Sequence, residues 1–483
     1  MTFGKSAIIL TILFLHISLS ASGQSNNYGQ IAVKKWAGDR KSAFSFTFDD
    51  GAVSQYKNAL PILDSFGFKG SFYVITGFIT DTLPGLPHFL TWKELNTMAL
   101  EGHEIGSHTV THPYLTKIPQ GDTATPGTLL YELYQSQKTI NQRVPVQNCI
   151  MLAYPFTNYD SNVVSKTTLF YESARGGNGN NIQSDFSVTP NAYFSIGSKE
   201  EFFNLPRDST PDDLDELQNF ETYITNSISS GKWSSLMGHE VFPFFQIANM
   251  LKHGSEYPIS SEWLTSLCQW LKSKSDYKEV WIETAGNITR YIKERQHFQY
   301  LVSVKTPVHL EINTSDNLND AIYNYPLTAD IIVPADWISA IVKQGSRTDT
   351  VNTFITSGTT YLRTEVIPDG GTLSLSKFTA SLPGDLSSSI SGFSVSQNFP
   401  NPFNPVTKIN YYLPFDSNVR IAIYNSLGQY VKELANENQN FGNHELTFNG
   451  TGFSSGAYFY SIQASSPDGN QNFKEYKKMT LIK

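Results

Sequence analysis

The chain has 483 residues, of which 40% are hydrophobic and 16% charged, a composition typical of globular domains and not of disordered chains. Its 43 acidic residues outnumber its 35 lysines and arginines, and it has no long basic run, which excludes nucleic acid as an expected partner. The two cysteines, Cys149 and Cys268, are too few for a disulfide framework, so a single bridge and two buried thiols both remain open.

An apolar segment opens the chain. Lys5 precedes an apolar stretch over 7–19, and small residues follow as far as Gly23. This order is typical of a secretory signal peptide that is cleaved near Gly23. An N-terminal membrane anchor is the alternative, but the apolar run is short for a membrane span. We therefore predict a signal peptide over 1–23 and no transmembrane segment in the mature protein.

Strand-like and helix-like segments alternate from about residue 43 to 295. The stretch FSFTF at 44–48 alternates Phe with small polar residues, which predicts a half-buried strand. The helix predicted next contains Pro61, which predicts a kink or a late start. Thr91 and Glu94 form a capping-box pattern for a later helix. Strands alternating with helices of this length predict a parallel sheet, either open or closed into a barrel.

After about residue 300 the pattern changes to short, β-branched segments separated by Asn, Asp, Gly and Pro. We predict a β-sandwich-like module over 301–380, a Ser/Gly-rich linker over 381–392 and a second all-β module over 393–483. The α/β domain then covers 24–300. With the signal peptide, this organisation predicts a multidomain protein of one α/β domain followed by two all-β modules.

Two adjacent carboxylates, Asp49 and Asp50, follow the strand predicted at 44–48, and Gly51 closes the segment. Asp-Gly is a common turn signal, so this stretch is interpretable as a turn alone. Because α/β folds place their sites at the carboxyl ends of strands, the two carboxylates can also be interpreted as catalytic groups. The stretch by itself favours the turn.

A second stretch, HTVTH at 108–112, contains two histidines at a spacing found among metal ligands. Pro113 follows directly, so a loop or a single turn is as expected here as a helix. An isolated pair of this kind is most often an ordinary loop, but the upstream carboxylates change the balance. Asp50, His108 and His112 form a set of oxygen and nitrogen ligands that leaves positions open for water and substrate, as a hydrolytic metal requires.

These stretches resemble the motifs of the polysaccharide deacetylases, carbohydrate esterase family four. TFDDG at 47–51 is similar to the first motif and SHTVTH at 107–112 to the second. LAYPF at 152–156 resembles the third motif and LMGH at 236–239 the last, in the family's order. The resemblance covers about 43–295 and implies a distorted (β/α) barrel.

The resemblance implies a role for each matching residue. Asp49 would be the general base that activates water, and His239 would protonate the leaving amine or alcohol. The three ligands named above would hold a divalent metal ion, most often Zn²⁺. The backbone N–H of Phe156 would stabilise the oxyanion, with Tyr154 and Pro155 in the same wall of the substrate cleft.

The chain departs from the family pattern in two places. The third motif commonly begins with an Arg that pairs with the catalytic Asp, and here Ala153 stands in that position. Arg175 is a candidate charge partner for Asp49, and an ordinary surface position is the alternative. The Asp-rich fourth motif is not recognisable, with Asp208 as its weak candidate.

The C-terminal residues resemble a different family. The opening QNFPNPFNP at 397–405 and the ending KKMTLIK at 477–483 are similar to the sorting domain of the type IX secretion system, a small β-sandwich. A carbohydrate-binding sandwich is the alternative, in which Tyr458, Phe459 and Tyr460 would contact sugar. The resemblance implies that the secretion machinery is a partner and that the protein is secreted or displayed on the cell surface.

Together these features predict a secreted, metal-dependent deacetylase that acts on an acetylated polysaccharide. The N-acetyl groups of a polymer containing N-acetylglucosamine are the first expected target. Removal of O-acetyl groups from a plant polysaccharide such as xylan is the alternative, because the same site can cleave an ester. A catalytically silent glycan-binding surface protein is the rival from another class, given the altered third motif.

Overall fold

The computed structural model describes residues 27–81, 88–176, 192–194, 214–252, 258–378, 393–398, 400–426, 428–440, 442–466 and 472–482. The predicted signal peptide over 1–23, the linker over 381–392 and Asp208 lie outside these residues. The chain divides into two compact units, Met1–Phe378 and Thr379–Lys483. No helix among the described residues is long and apolar enough to cross a membrane.

A parallel sheet forms the framework of the first unit, as predicted, and eight of its strands lie in the described residues. Strand Ser42–Phe48 pairs with three of the others, and every one of its residues is buried. The predicted half-burial of this strand is therefore wrong. In a parallel sheet both faces are covered, so the small polar residues Ser45 and Thr47 are buried along with the phenylalanines. The strands are Ser42–Phe48, Gly70–Val74, Glu104–Ser107, Met151–Ala153, Ser173–Gly176, Ala192–Phe194, Trp233–Gly238 and Val280–Ile282.

Helices connect these strands. Pro61 lies in the first turn of the α-helix Leu60–Ser65, directly after the π-helical turn Gln55–Ala59. The backbone is helical from residue 53, so the structure shows an irregular helix before Pro61 and not the late start. The predicted capping box is present, because Thr91 Oγ1 accepts from the Glu94 N–H and the Glu94 carboxylate accepts from the Thr91 N–H. The α-helices are Leu60–Ser65, Trp92–Leu100, Leu129–Arg143, Ser161–Thr167, Leu214–Ser230, Phe244–Lys252, Ser261–Asp276 and Ala285–His297, and the 3₁₀ turns are Ala37–Asp39, Leu115–Lys117 and Pro155–Thr157.

Aromatic packing fixes the carboxyl end of the central strand. Phe46 and Phe48 are fully buried, and Phe48 stacks on Phe72 of the neighbouring strand with ring centroids 5.2 Å apart. Cys149 and Cys268 belong to the same core as two buried, free thiols. The residues that follow the central strand are therefore attached to a rigid, well-packed element.

An antiparallel sheet completes the first unit and includes a strand that precedes the α/β part in the sequence. Ile31–Val33 pairs antiparallel with Leu327–Ile332. Strand Arg347–Thr356 pairs with one neighbour through its first half and another through its second half, which links the two halves of the module. The domain boundary at 300 stays a prediction. The strands are Ile31–Val33, Gln299–Lys305, His309–Ser315, Leu327–Ile332, Ser339–Gln344, Arg347–Thr356, Thr359–Val366 and Leu373–Lys377, and a short parallel pair, Val241–Phe242 and Ile259–Ser260, lies elsewhere in the unit.

The α/β part and the antiparallel module of the first unit share a buried core. Trp36, Trp281, Tyr291 and Leu327 belong to one buried cluster. The fully buried carboxylate of Glu294 accepts a hydrogen bond from the Tyr325 N–H at 2.8 Å, and no described group donates a hydrogen bond to its Oε2. The two parts are thus joined by core packing as well as by strand pairing.

The second unit consists of two antiparallel sheets around a core of its own. Tyr458 and Tyr460 are buried in that core, with 8% and 0% of their surface exposed. Two of the three aromatic residues considered for sugar binding therefore serve packing. The strands are Ser394–Val395, Val406–Leu413 and Gly442–Asn449 in one sheet, and Tyr430–Gln439, Ser417–Asn425, Gly456–Ser465 and Asn472–Leu481 in the other.

Candidate active site

Asp49 and His239 lie next to each other because they follow paired strands. Phe48 is the register partner of Gly238, and the Asp49 N–H donates to the Gly238 carbonyl at 2.8 Å. The side-chain amide of Gln55 donates to the backbone carbonyls of both Asp49 and His239. Asp49 is 4% exposed and His239 8%. The predicted base and acid are thus held at one end of the sheet by backbone and side-chain hydrogen bonds.

The Arg175 guanidinium donates to both carboxylate oxygens of Asp49. Arg175 is 2% exposed and lies over the ring of Tyr73, 5.3 Å from its centroid. It is the register partner of Ala153 on the adjacent strand. The cation beside Asp49 therefore comes from strand Ser173–Gly176, which lies next to the strand of the third motif, and from the position that pairs with Ala153.

This ion pair determines the protonation of Asp49. Burial by itself raises the pKa of Asp49, but its interactions with Arg175, His108 and His239, in which Arg175 is the largest, outweigh burial and hold this pKa below its ordinary value. Asp49 is consequently ionised throughout the neutral range. A buried carboxylate of this kind is stable only because its partner is equally buried and bonded to it.

Asp50, His108 and His112 converge, and of the described residues they alone form a cluster suited to a metal ion. Oδ1 of Asp50 lies 3.4 Å from Nε2 of His108 and 3.7 Å from Nε2 of His112, and the two Nε2 atoms are 3.1 Å apart. Three ligand atoms about 2.1 Å from one tetrahedral ion are separated by about 3.4 Å. The donor set therefore fits a Zn²⁺-sized cation.

His108 has the orientation that a metal ligand needs. Its Nδ1 lies 2.8 Å from the carbonyl oxygen of Ala153, which can only accept, so Nδ1 carries the proton and Nε2 presents its lone pair to the cluster. Burial lowers the pKa of His108 to about 4, although the charge of Asp49 opposes this shift. The imidazole is thus neutral at neutral pH, as metal binding requires.

Left-handed backbone conformations concentrate around the site. Asp50, Thr109, His112, Phe156 and Thr157 all have φ between 52° and 74°. Each such conformation in a residue other than glycine costs about 1–3 kcal/mol, and surrounding contacts must maintain it. The segment with the two histidines is accordingly a loop and not a helix, one of the two outcomes that Pro113 left open.

The third motif presents a single side chain to solvent. Tyr154 is 2% exposed and Pro155 is buried, whereas Phe156 is 43% exposed. The Phe156 ring stacks on Tyr114 with centroids 4.1 Å apart and meets His112 edge to face at 4.4 Å. Phe156 therefore contacts His112, one of the candidate metal ligands, while Tyr154 and Pro155 are buried beneath it.

Sequence reasoning missed three residues that support this site. Gln55 and Glu132 are fully buried and bond the backbone beside Asp49, His239 and the two histidines. Tyr114 covers one face of Phe156. No local sequence pattern identifies Gln55 or Glu132. Tyr114 could have been singled out, because it is an aromatic residue directly after the histidine stretch and Pro113.

Two family models match the chain. The polysaccharide deacetylase model matches residues 37–170, and the model of the secretion system C-terminal sorting domain matches residues 397–473. The first match contains both Asp-Asp and His-x-x-x-His stretches, and the second lies within the second compact unit. Both predicted resemblances are confirmed.

Individual relatives match parts of the chain. Gellan lyase of a Bacillus species is 29% identical over 367 residues, which are 72% of this chain and 13% of that protein. YxkH of Bacillus subtilis (strain 168), named as a polysaccharide deacetylase, is 32% identical over 114 residues, which are 24% of this chain and 37% of that protein. The solved Streptococcus pyogenes deacetylase PplD in complex with acetate is 27% identical, covers 32% of this chain and 62% of that chain, and has a TM-score of 0.27. The chain thus spans less than two thirds of each of these relatives.

Proposed function

We propose that this chain, which carries a polysaccharide deacetylase domain and a C-terminal sorting domain, is an exported metal-dependent hydrolase of acetylated glycans. Its first target is the N-acetyl groups of a polymer that contains N-acetylglucosamine. The observation that carries the proposal is the convergence of Asp50, His108 and His112 beside Asp49 and His239 at one end of the sheet.

The three-residue cluster would hold a divalent cation. Asp50, His108 and His112 supply one carboxylate oxygen and two imidazole nitrogens, a set that Zn²⁺ prefers and that leaves further positions open. Such an ion lowers the pKa of water and stabilises negative charge on a carbonyl oxygen. The single anionic ligand, Asp50, gives the cation its main charge partner in the cluster.

Asp49 is suited to accept a proton from water. Its carboxylate is ionised because of Arg175, and Nε2 of His108 lies 4.0 Å from its Oδ2, so the base adjoins the metal cluster without belonging to it. Water adds to the acetyl carbonyl carbon as its proton passes to Asp49, and the carbonyl oxygen becomes an oxyanion. Arg175 orients the carboxylate and is a positioning residue.

His239 is suited to complete the reaction. It donates a proton to the glycan nitrogen as the C–N bond breaks, so that acetate and a free amine leave. The Phe156 N–H, in a loop held by stacking against Tyr114 and His112, is the candidate donor to the oxyanion.

The silent glycan-binding alternative rested on the alanine in the third motif. Arg175, on the strand next to that of Ala153, binds Asp49 and provides the positive charge that Ala153 cannot supply. This ion pair favours an active hydrolase over a silent binder.

The sorting domain supports export. Residues 397–473 match the family of secretion system C-terminal sorting domains and belong to a unit with its own core. We infer that the type IX machinery is the partner of this unit, and that the protein reaches the cell surface or the medium.

The test is acetate release from chitin oligomers, poly-N-acetylglucosamine, peptidoglycan and acetylated xylan, with the Zn²⁺-loaded protein. We expect release from a polymer containing N-acetylglucosamine, and loss of release together with bound metal in His108→Ala. Asp49→Asn and His239→Ala should retain the metal but not the activity, because they remove only the proton acceptor and the proton donor. Release from xylan alone would support the ester alternative, and sugar binding without any release would support the silent binder.

A further inference from the structure

The helix Leu129–Arg143 presents a buried carboxylate to the loop that contains both histidines. Glu132 is fully buried. Its Oε2 accepts from the N–H groups of Val110 and Thr111 at 2.9 and 2.8 Å, and its Oε1 accepts from the Thr111 hydroxyl at 2.7 Å. No ion pair within the described part of the chain includes Glu132. Among the described residues, this loop provides all the hydrogen-bond donors to its carboxylate.

The loop needs such support because its backbone is unusual. Thr109 and His112 have φ values of 67° and 59°, which residues other than glycine seldom adopt. Thr109 Oγ1 accepts from the His112 N–H at 3.0 Å, so part of the conformation is stabilised locally. Val110 and Thr111, between the two left-handed residues, have their N–H groups bonded by Glu132 instead.

The same helix contacts the loop a second time. Ser136, one turn after Glu132, lies with its Oγ 2.7 Å from Oγ of Ser107, the residue before His108. The helix therefore bonds both the start and the middle of the segment that contains the two histidines, whose Nε2 atoms are 3.1 Å apart. Movement of Val110 and Thr111 would change that separation.

We propose that Glu132 is a positioning residue that sets metal affinity by fixing the loop between the two histidine ligands. This inference rests on the proposed metal-dependent function. Loss of the carboxylate removes the acceptor of the Val110 and Thr111 N–H groups and of the Thr111 hydroxyl. The loop then relaxes, and the two imidazoles move apart. Residues that orient metal ligands typically change metal affinity about 10- to 100-fold when they are replaced.

The experiment compares Glu132→Gln with the full-length parent. Gln has the same shape as Glu, but its NH₂ group replaces one carboxylate oxygen and cannot accept a hydrogen bond from the loop donors that this oxygen binds. We expect Zn²⁺ affinity, measured by competition with a chelator, to fall about 10- to 100-fold. The absorption spectrum of the Co²⁺-loaded variant should also change, since it reports the ligand geometry and not the overall fold.

Asp122→Asn is the matched control. Asp122 also accepts from two N–H groups and one threonine hydroxyl, those of Ala124 and Thr125, in a loop without metal ligands. Its replacement should leave Zn²⁺ affinity and the Co²⁺ spectrum unchanged. Parental affinity and spectrum in Glu132→Gln, with loss of metal in His108→Ala, would overturn this inference and leave the proposed function intact.

Two further outcomes are decisive. If Glu132→Gln does not fold, Thr111→Val removes the hydroxyl partner from the loop side; weaker Zn²⁺ binding in this variant supports the role of Glu132, and parental binding overturns it. A parent that binds no Zn²⁺ would remove the proposed function itself, and the inference with it.

Discussion

The Arg175 guanidinium bonds both carboxylate oxygens of Asp49, although the two residues are 126 positions apart in the sequence. Both side chains are buried, with 2% and 5% of their surface exposed. Arg175 is the register partner of Ala153, so the charge beside the predicted base comes from the strand next to the third motif. This pair places a buried cation beside Asp49 although the third motif has no arginine.

Replacement of Arg175 by Met should raise the pKa of Asp49, because burial, which raises it, is then opposed only by the histidines. The parental pKa lies below the ordinary value of 3.8, so the base becomes protonated at a higher pH in the variant. We expect the acid limb of the kcat/KM profile to move to higher pH. The unpaired buried carboxylate should also reduce stability by about 3–5 kcal/mol.

A matched control for that experiment is Arg143→Met. Arg143 also pairs with an aspartate, Asp81, but both side chains are largely exposed. This exposed pair should contribute little to stability, so Arg143→Met should unfold like the parent and show the same kcat/KM profile against pH. An acid limb that does not move in Arg175→Met would contradict the assignment of Asp49 as the group that Arg175 keeps ionised.

Asp50→Asn distinguishes a metal ligand from a turn residue. Asn adopts the left-handed conformation of Asp50 readily, so the variant should fold. If Asp50 is a ligand, the loss of its anionic oxygen should sharply reduce the rise in melting temperature that added Zn²⁺ produces. Asp39→Asn, at another left-handed aspartate, serves as the control and should keep the full rise. Equal rises in the parent and in Asp50→Asn would return this stretch to being a turn.

Truncation should separate chemistry from sorting. A chain that ends at Phe378 retains the whole first unit, so we expect parental kcat/KM from the purified enzyme and failure to reach the surface or medium of the native host. A chain that ends at Phe298 loses the strand Leu327–Ile332 that pairs with Ile31–Val33, and it exposes Trp281. That chain should be unstable, which circular dichroism would detect. Loss of activity in a well-folded chain ending at Phe378 would assign a catalytic contribution to the second unit.

Glu294 should make stability depend on pH. Burial raises its pKa from 4.5 to about 8. A carboxyl whose folded pKa is raised binds its proton more tightly in the folded state, so its contribution is complete below about pH 4.5 and is lost as pH rises to about 8. We expect the melting temperature of the parent to fall across this range more steeply than that of Glu294→Gln. Parallel curves for the two proteins would show that Glu294 titrates normally.

Short local patterns were sufficient to predict the framework. The central strand, the capping box at Thr91 and the irregular helix around Pro61 are each encoded within a few residues, and the structure has all three, although the strand is buried on both faces and not on one. The candidate ligands were also predictable from short patterns, since Asp50 follows the strand predicted at 44–48 and the two histidines have a spacing found among metal ligands; the structure adds that His108 follows the strand Glu104–Ser107. Parallel strands carry their carboxyl ends to one edge, so such residues meet wherever the sheet forms.

Tertiary structure alone decided what surrounds those residues. The pairing of Arg175 with Asp49 depends on the register of two strands, and the bonds from Glu132 depend on how a helix packs beside a loop. The pairing of Ile31–Val33 with a strand far along the chain has no local pattern either. These contacts join residues distant in sequence, and a buried charge can be satisfied by any partner that the fold brings near. The residue types at the site could therefore be identified from short stretches of sequence. Their protonation, their orientation and the hydrogen bonds that hold them depend on the packing of the sheet and its helices.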